Sequence, residues 1–289
     1  MYNYKTITPD SEITLKFERL SDKELRAIDK ASGADCGVVT ITEDGFEASD
    51  EIISTQYELW LKRPERKVGK LVKISGKTME ELIEAYEEIL VGCYILNHPK
   101  ETITDGENTR YGAMLDWLRS TDFYTAPAST QYHESFPGGL LVHSLNVYNE
   151  AVLLHEAPQF KHVNITTISY CALVHDWCKI GLYEPYSRNV KNDKTGEWEK
   201  VTAYKYNLKG TPLGHGATSM FYASKFFNLS TEAALAIRWH MGEYNVANNE
   251  MNELHKANST YPLCYLLQFA DRLSCVEYKH LEDVPELNE

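Results

Sequence analysis

The stretch Leu173-Val174-His175-Asp176-Trp177-Cys178-Lys179-Ile180-Gly181 sets an imidazole beside a carboxylate at the end of a segment, residues 165–174, that otherwise reads as a buried helix. On helical spacing His175 falls in line with Ile168, Cys171 and Ala172, so it points where the apolar face points. An unpaired charge in such a place is costly, and the group would neutralise itself or find a partner. A divalent metal removes the conflict, because neutral imidazole and ionised carboxylate are the forms it binds. The plain alternative is a hydrogen-bonded core histidine beside a helix-terminal aspartate. The rest of the chain decides between the two.

Working outward, residues 140–156 form a helix that is apolar nearly all round except for His143, Asn146 and Glu150, which share one stripe. Solvation explains Asn146 and Glu150. It explains a histidine flanked by Leu140, Leu141, Val142 and Leu145 less well. On the other side, His215 follows Pro212-Leu213-Gly214 at the mouth of a helix running to about Asn228. Ser230 caps the next helix, whose apolar face of Ala233, Ala236 and Ile237 continues to His240, with Gly242 as the stop. Thr260 and Pro262 start a last long helix with Cys264, Leu267, Asp271, Cys275 and Tyr278 in one stripe, so Asp271 is a carboxylate on an apolar face. Four helices thus each bury a His or an Asp, and a fifth carries His215 at its mouth. One shared metal site accounts for all of them where separate explanations need a coincidence.

Between these helices, residues 182–209 switch to a strand-like pattern: a hairpin with a turn at Asp193-Lys194-Thr195-Gly196 and a second strand from Trp198 to Tyr206. It interleaves Arg188, Lys191, Lys194, Lys200, Lys205 and Lys209 with Tyr183, Tyr186, Trp198, Tyr204 and Tyr206, a pattern that suits a phosphate and a base and equally an amphipathic surface hairpin. The first hundred residues read as a small α+β domain: strands at residues 13–17 and 38–41, a short helix from Ser21 to Lys30, a turn at Asp44-Gly45, a strand from Lys70 to Ser75, and a helix from Thr78 to Leu96 with the Thr78/Glu81 capping box. Its basic run, Lys62, Arg63, Arg66, Lys67, Lys70 and Lys73, is diluted by Glu58 and Glu65 and reads as a solvated face. Residues 99–108 read as a linker, and Arg110 to Ser120 as the first helix of the second domain, 101–289.

The chain has 289 residues, 43% hydrophobic and 25% charged, which is the composition of a globular protein of one large or two ordinary domains. A net charge of −13 disfavours long nucleic acids, which attract basic surfaces, and gives no pull towards anionic membrane. The six cysteines form no C-x-x-C pair, so reduced thiols are expected. With no signal peptide and no run of 18 apolar residues, the expected place is the cytoplasm.

The order His143, His175-Asp176, His215, His240, Asp271 resembles the H…HD…H…H…D signature of the HD superfamily, a helical fold whose main members are metal-dependent phosphohydrolases. Locally, Pro137-Gly138-Gly139-Leu140-Leu141-Val142-His143 and the His-Asp-x-x-Lys of His175 to Lys179 resemble it as well, most closely the HD-type 3′-to-5′ exoribonucleases and dinuclear phosphodiesterases. The likeness spans about Arg110 to Cys275. It implies a mainly α fold, an HD-type helical bundle with an inserted β-hairpin, in which His143, His175, Asp176 and Asp271 bind one metal and Asp176 bridges to a second held by His215 and His240. The implied cofactors are two divalent ions, such as Mn, Fe, Mg, Co or Ni. Where the family commonly has Ile-Gly before the lysine, this chain has Trp177-Cys178, whose bulk alters the pocket beside Lys179.

The expected activity is hydrolysis of a phosphoester in a nucleotide, cyclic nucleotide or short oligonucleotide by a metal-bridging hydroxide, with the ions about 3.5–4 Å apart. Asp176 and Lys179 are the catalytic candidates, with Lys179 as phosphate clamp. His133, Arg188 and Lys191 are candidates for further substrate contacts. Two other classes share the ligand list or the pocket: a diiron oxygenase of the same superfamily, and a non-catalytic nucleotide-binding module. The cationic hairpin and Lys179 favour phosphate.

Overall fold

A computed structural model describes residues 12–100, 110–191, 195–207, 211–244 and 246–276. Most of the linker at 99–108, Lys194, Lys209 and Tyr278 lie outside those residues. The described chain is mixed in class, with helices predominating over two small antiparallel sheets. It falls into two compact units, one built from residues up to Lys70 with Thr78–Ser120 and Phe226–Asn228, the other from Leu71–Lys77, Thr121–Lys225 and Leu229 onward. No described helix is long and apolar enough to cross a membrane.

In the first unit, strands β1 (Leu15–Arg19), β2 (Glu24–Asp29), β3 (Asp35–Thr42) and β4 (Gly45–Ala48) form an antiparallel meander in sequence order. The helix expected at Ser21 to Lys30 is replaced by β2. A ten-residue helix is marginal alone, whereas β2 pairs with a strand on each side and buries Leu25 and Ala27 in alternation. The turn at Asp44-Gly45 forms as expected, closing the Thr42–Gly45 pair with Gly45 at φ +145°.

Across one face of the sheet lies α1 (Glu51–Leu61), which the sequence reading did not anticipate. Asp50 caps it by accepting from the Ile53 N–H. Ile53 and Tyr57 pack into a core with Leu15, Leu25, Ala27 and Val39, ringed by Phe17, Phe46 and Trp60. Each large side chain so buried contributes ~1.5–3 kcal/mol. The basic run is partly consumed inside this unit: Arg63 is buried and paired with Glu65 at 2.7 Å, and the Arg66 guanidinium stacks 3.7 Å over the Trp60 ring. Helix α2 (Met79–Asn97) starts at the expected Thr78/Glu81 capping box. Helix α3 (Arg110–Arg119) joins the same unit, because Arg119 reaches Glu87, fully buried on α2, at 2.7 Å. The division between units therefore falls after Ser120 and not near residue 100.

The second unit is built on α4 (Gly139–His155), α5 (Ile165–Val174), α7 (Thr231–Arg238) and α9 (Pro262–Ser274), packed against one another, with α6 (His215–Ala223) against α7 and α8 (Met251–Thr260) against α9. Asn164 and Ser230 cap α5 and α7. Residues 70–75, expected as a strand, are not one. Val72 instead exchanges both backbone hydrogen bonds, each 2.8 Å, with the side-chain amide of Asn149 on α4. The hairpin of β5 (Tyr183–Lys191) and β6 (Trp198–Tyr206) is inserted between α5 and α6, in register from Tyr183/Tyr206 to Lys191/Trp198. Helix α5 stops five residues short of the expected Lys179. Asp176 leaves helical geometry at φ −109°, ψ 17°, and a single tight turn, Trp177–Lys179, follows.

Candidate metal centre

Every residue of the site comes from the second unit, and most sit where a helix begins or ends. His143 projects from the first turns of α4, His175 caps the end of α5, His240 follows α7 by two residues, Asp271 lies on α9, and His215 opens α6. Helix ends carry backbone carbonyls with no partner inside the helix. Both His175 and His240 use this: each Nδ1–H donates to the carbonyl three residues back, Ala172 at 2.7 Å and Ile237 at 2.8 Å. That bond fixes the tautomer and leaves the Nε2 lone pair facing inward, as orienting contacts do for metal-ligating histidines. His143 Nδ1 faces Ser274 Oγ at 3.4 Å and Glu134 Oε2 at 3.9 Å, so its Nε2 also points inward.

Four donor atoms meet on one side of Asp176. His143 Nε2 lies 3.3 Å from His175 Nε2, 3.1 Å from Asp271 Oδ1 and 3.3 Å from Asp176 Oδ2. His175 Nε2 lies 3.4 Å from Asp176 Oδ2 and 3.7 Å from Asp271 Oδ1. Around a cation bound at ~2.1 Å by nitrogen and oxygen, neighbouring donors of a four-coordinate shell stand ~3.4 Å apart. The spacing fits that shell.

The other carboxylate oxygen faces a different set. His215 Nε2 is 2.9 Å and His240 Nε2 3.5 Å from Asp176 Oδ1. The Cys178 sulfur lies 3.9 Å from the same oxygen and 3.5 Å from His215 Nε2. His240 stands between the sets, since its donor atom is also within 4.8 Å of those of His175 and Asp271. His240 Nε2 is buried without a hydrogen-bond partner among the described residues, a cost a native core avoids unless something else binds there. The donor chemistry, the spacing and this orphaned nitrogen all fit divalent cations.

The electrostatics agree. Burial alone would lower the pKa of His175, yet the carboxylates of Asp176 and Asp271 outweigh it and hold the ring up at about 10. His143 is raised against the same burial by the same pair. Burial would raise Asp176 and Asp271, but Lys179 and the imidazoles hold Asp176 well below the usual carboxylate range, and His143 and His175 do the same for Asp271. Two anions in a core thus draw positive charge onto every neighbour, a demand that divalent cations meet. Lys179 is itself buried, its Nζ 2.6 Å from Asp176 Oδ2.

A cavity of about 780 Å³ opens onto the site, with Lys179, His215 and Asp271 in its wall and Tyr183 and Tyr206 from the hairpin beside them. His133 lines it too, its ring 4.9 Å from that of His143, and burial with the charge of His143 pushes its pKa down to about 4, so the ring is neutral. Arg188 and Lys191, expected to hold phosphates, lie exposed on β5 and are absent from the described lining. The cations that line the cavity are Arg238 and Arg272, which the sequence reading passed over. It also missed Glu134 and Ser274, behind His143, and Cys178 as a donor. The arginines sit one turn from His240 and next to Asp271, a signal that was legible. Glu134 approaches only because Gly139 has no side chain, since a Cβ there would land on the Glu134 carbonyl. A second cavity of about 690 Å³, lined by His133, Glu134, Ser274 and Cys275, does not reach Asp176.

No family model, no curated protein and no solved structure matches this chain.

Proposed function

We propose that the second unit is an HD-type, metal-dependent phosphohydrolase that cleaves a phosphoester in a nucleotide, cyclic nucleotide or short oligonucleotide. The observation that carries this reading is the division of Asp176, with Oδ2 among His143, His175 and Asp271 and Oδ1 among His215, His240 and Cys178. One carboxylate so placed is the bridge a two-cation phosphoesterase uses. Divalent cations held by these residues would supply Lewis-acid polarisation of a phosphoryl oxygen and a water activated at neutral pH.

The chain's own groups do the rest. Lys179, fixed on Asp176 at the cavity wall, places a full positive charge beside the phosphoryl group, where negative charge develops as the bond breaks. Arg238 is splinted by Glu250 at 2.7 Å and by the Trp239 ring at 4.3 Å, so its guanidinium meets a substrate phosphate with little entropy to lose. Arg272 extends the positive wall. His133, neutral above pH ~4, is placed to donate a hydrogen bond to a substrate oxygen. Tyr183 and Tyr206, their centroids 5.4 Å apart, offer a flat apolar wall for a base and limit bulk water at the phosphate.

The test is a turnover screen of the full chain on nucleotides, cyclic nucleotides and short oligonucleotides with Mn²⁺, Mg²⁺, Fe²⁺, Co²⁺ and Ni²⁺. Release of phosphate or nucleoside monophosphate that stops with chelator and returns with metal is the expected result. Turnover that persists in chelator overturns the reading, as does failure of the chain to bind any of the five ions.

A further inference from the structure

We infer that Cys178 is a ligand of the outer cation, so that this half of the centre selects thiophilic divalent metals, such as Zn²⁺, Co²⁺ and Cd²⁺, over Mg²⁺. The inference rests on the two-cation reading above and adds to it a sulfur donor and the metal class that follows.

Cys178 Sγ, His215 Nε2 and Asp176 Oδ1 form a triangle with sides of 3.5, 3.9 and 2.9 Å. Donors around a cation bound by sulfur at ~2.3 Å and by nitrogen at ~2.1 Å stand ~3.6 Å apart, so the sulfur sits where a ligand would. It is held there. The tight turn Trp177–Lys179 packs against α6, and the Cys178 backbone N–H donates to Ser219 Oγ at 3.0 Å, which fixes the sulfur against the helix that His215 opens. The second, independent observation is His240 Nε2, buried, unpartnered among the described residues and 3.5 Å from the same Asp176 oxygen. Together they make a donor set of two imidazoles, one carboxylate oxygen and one sulfur.

Such a set is poor for Mg²⁺, which asks for near-octahedral oxygen, and good for borderline and soft ions. The inner set has no sulfur, so the two halves differ in softness. On binding, the Cys178 S–H bond breaks heterolytically, the sulfur electron pair goes to the cation, and the proton leaves to bulk water.

Titration of the full-length protein with Co²⁺ tests this, followed by absorbance together with metal content. The wild type should develop a near-ultraviolet thiolate-to-cobalt charge-transfer band as the outer position fills. The band should vanish in Cys178→Ser and Cys178→Ala and persist in Cys275→Ser, the control for the other thiol near the site. Both Cys178 variants should keep one cation and hold the second Cd²⁺ at least ~10-fold more weakly. X-ray absorption of the zinc-loaded wild type, which involves no substitution, should show a sulfur neighbour at ~2.3 Å. Cobalt bound without a thiolate band, a band that follows Cys275, or zinc without sulfur would each overturn the Cys178 assignment and leave the two-cation reading standing. No cobalt bound at all would overturn both.

Discussion

The two sides of Asp176 are built from nearly the same donors and differ in access. On the inner side, His143 and His175 are wholly buried, and the Asp271 side chain is only 16% exposed. Three protein ligands besides the shared carboxylate close the shell. On the outer side, the His215 side chain is 32% exposed, and its set opens onto the large cavity with Lys179. Burial and preset lone pairs give the inner half affinity, because little must be ordered or desolvated at binding. Exposure gives the outer half an open coordination position, the mark that separates a reacting cation from a structural one. The centre is therefore expected to fill in order, inner first, with substrate meeting the outer half.

The largest effect should come from the atom group the halves share. Asp176→Asn keeps the shape and removes the charge from both sides, so metal content should fall from two per chain towards none and phosphoester turnover by more than ~100-fold. It also strands the Lys179 ammonium in the core, where breaking a buried pair costs ~3–5 kcal/mol, so the metal-free variant should unfold at a lower temperature. A variant that retained both cations by elemental analysis would end the comparison, since Asp176 would not be the bridge.

Next come substitutions that separate the sides. Asp271→Asn should abolish the tighter of two binding events in isothermal titration. His215→Ala should leave that event intact and weaken the other by ~10–100-fold. If His215→Ala removed the tight event, the filling order would be inverted and burial would not be what sets affinity here. Smaller still is the effect expected of Arg272→Ala, which touches neither half: both binding events should persist, while KM for a phosphate substrate rises about tenfold, the scale of one charge-assisted hydrogen bond.

Much of this centre was legible in the sequence for a simple reason. A His or Asp on an otherwise apolar helix face is a conflict that periodicity alone exposes, and His143, His175, Asp176, His240 and Asp271 each announced one. What periodicity could not give was depth off the helix: Cys178 and Lys179 lie on a tight turn, where the 3.6-residue rule no longer states which way a side chain points. Glu134 was hidden for a related reason, since it sits at φ +42° in an irregular loop. In the first unit, the strand Glu24–Asp29 was misread because its formation depends on partners at 15–19 and 35–40, and long-range pairing overrides local propensity. Arg188 and Lys191 were named from composition, which counts cations without saying which surround a cavity.

Two glycines offer the finest test of whether the halves are mechanically separate. A Cβ at Gly216, next to His215, would land on the carbonyl of Arg238, at the end of the helix that precedes His240. A Cβ at Gly139, one turn before His143, would land on the carbonyl of Glu134. Backbone cannot swing aside as a flexible side chain does, so each alanine should lower stability by ~1–3 kcal/mol in denaturant unfolding of the metal-free protein. The effect on metal should differ between them. Gly216→Ala pushes α6 away from α7 and should weaken only the second binding event, while Gly139→Ala moves the support behind His143 and should weaken only the first. Equal weakening of both events in either variant would mean that the helices carrying the two donor sets move as one body and that access alone, not separate scaffolding, divides the centre.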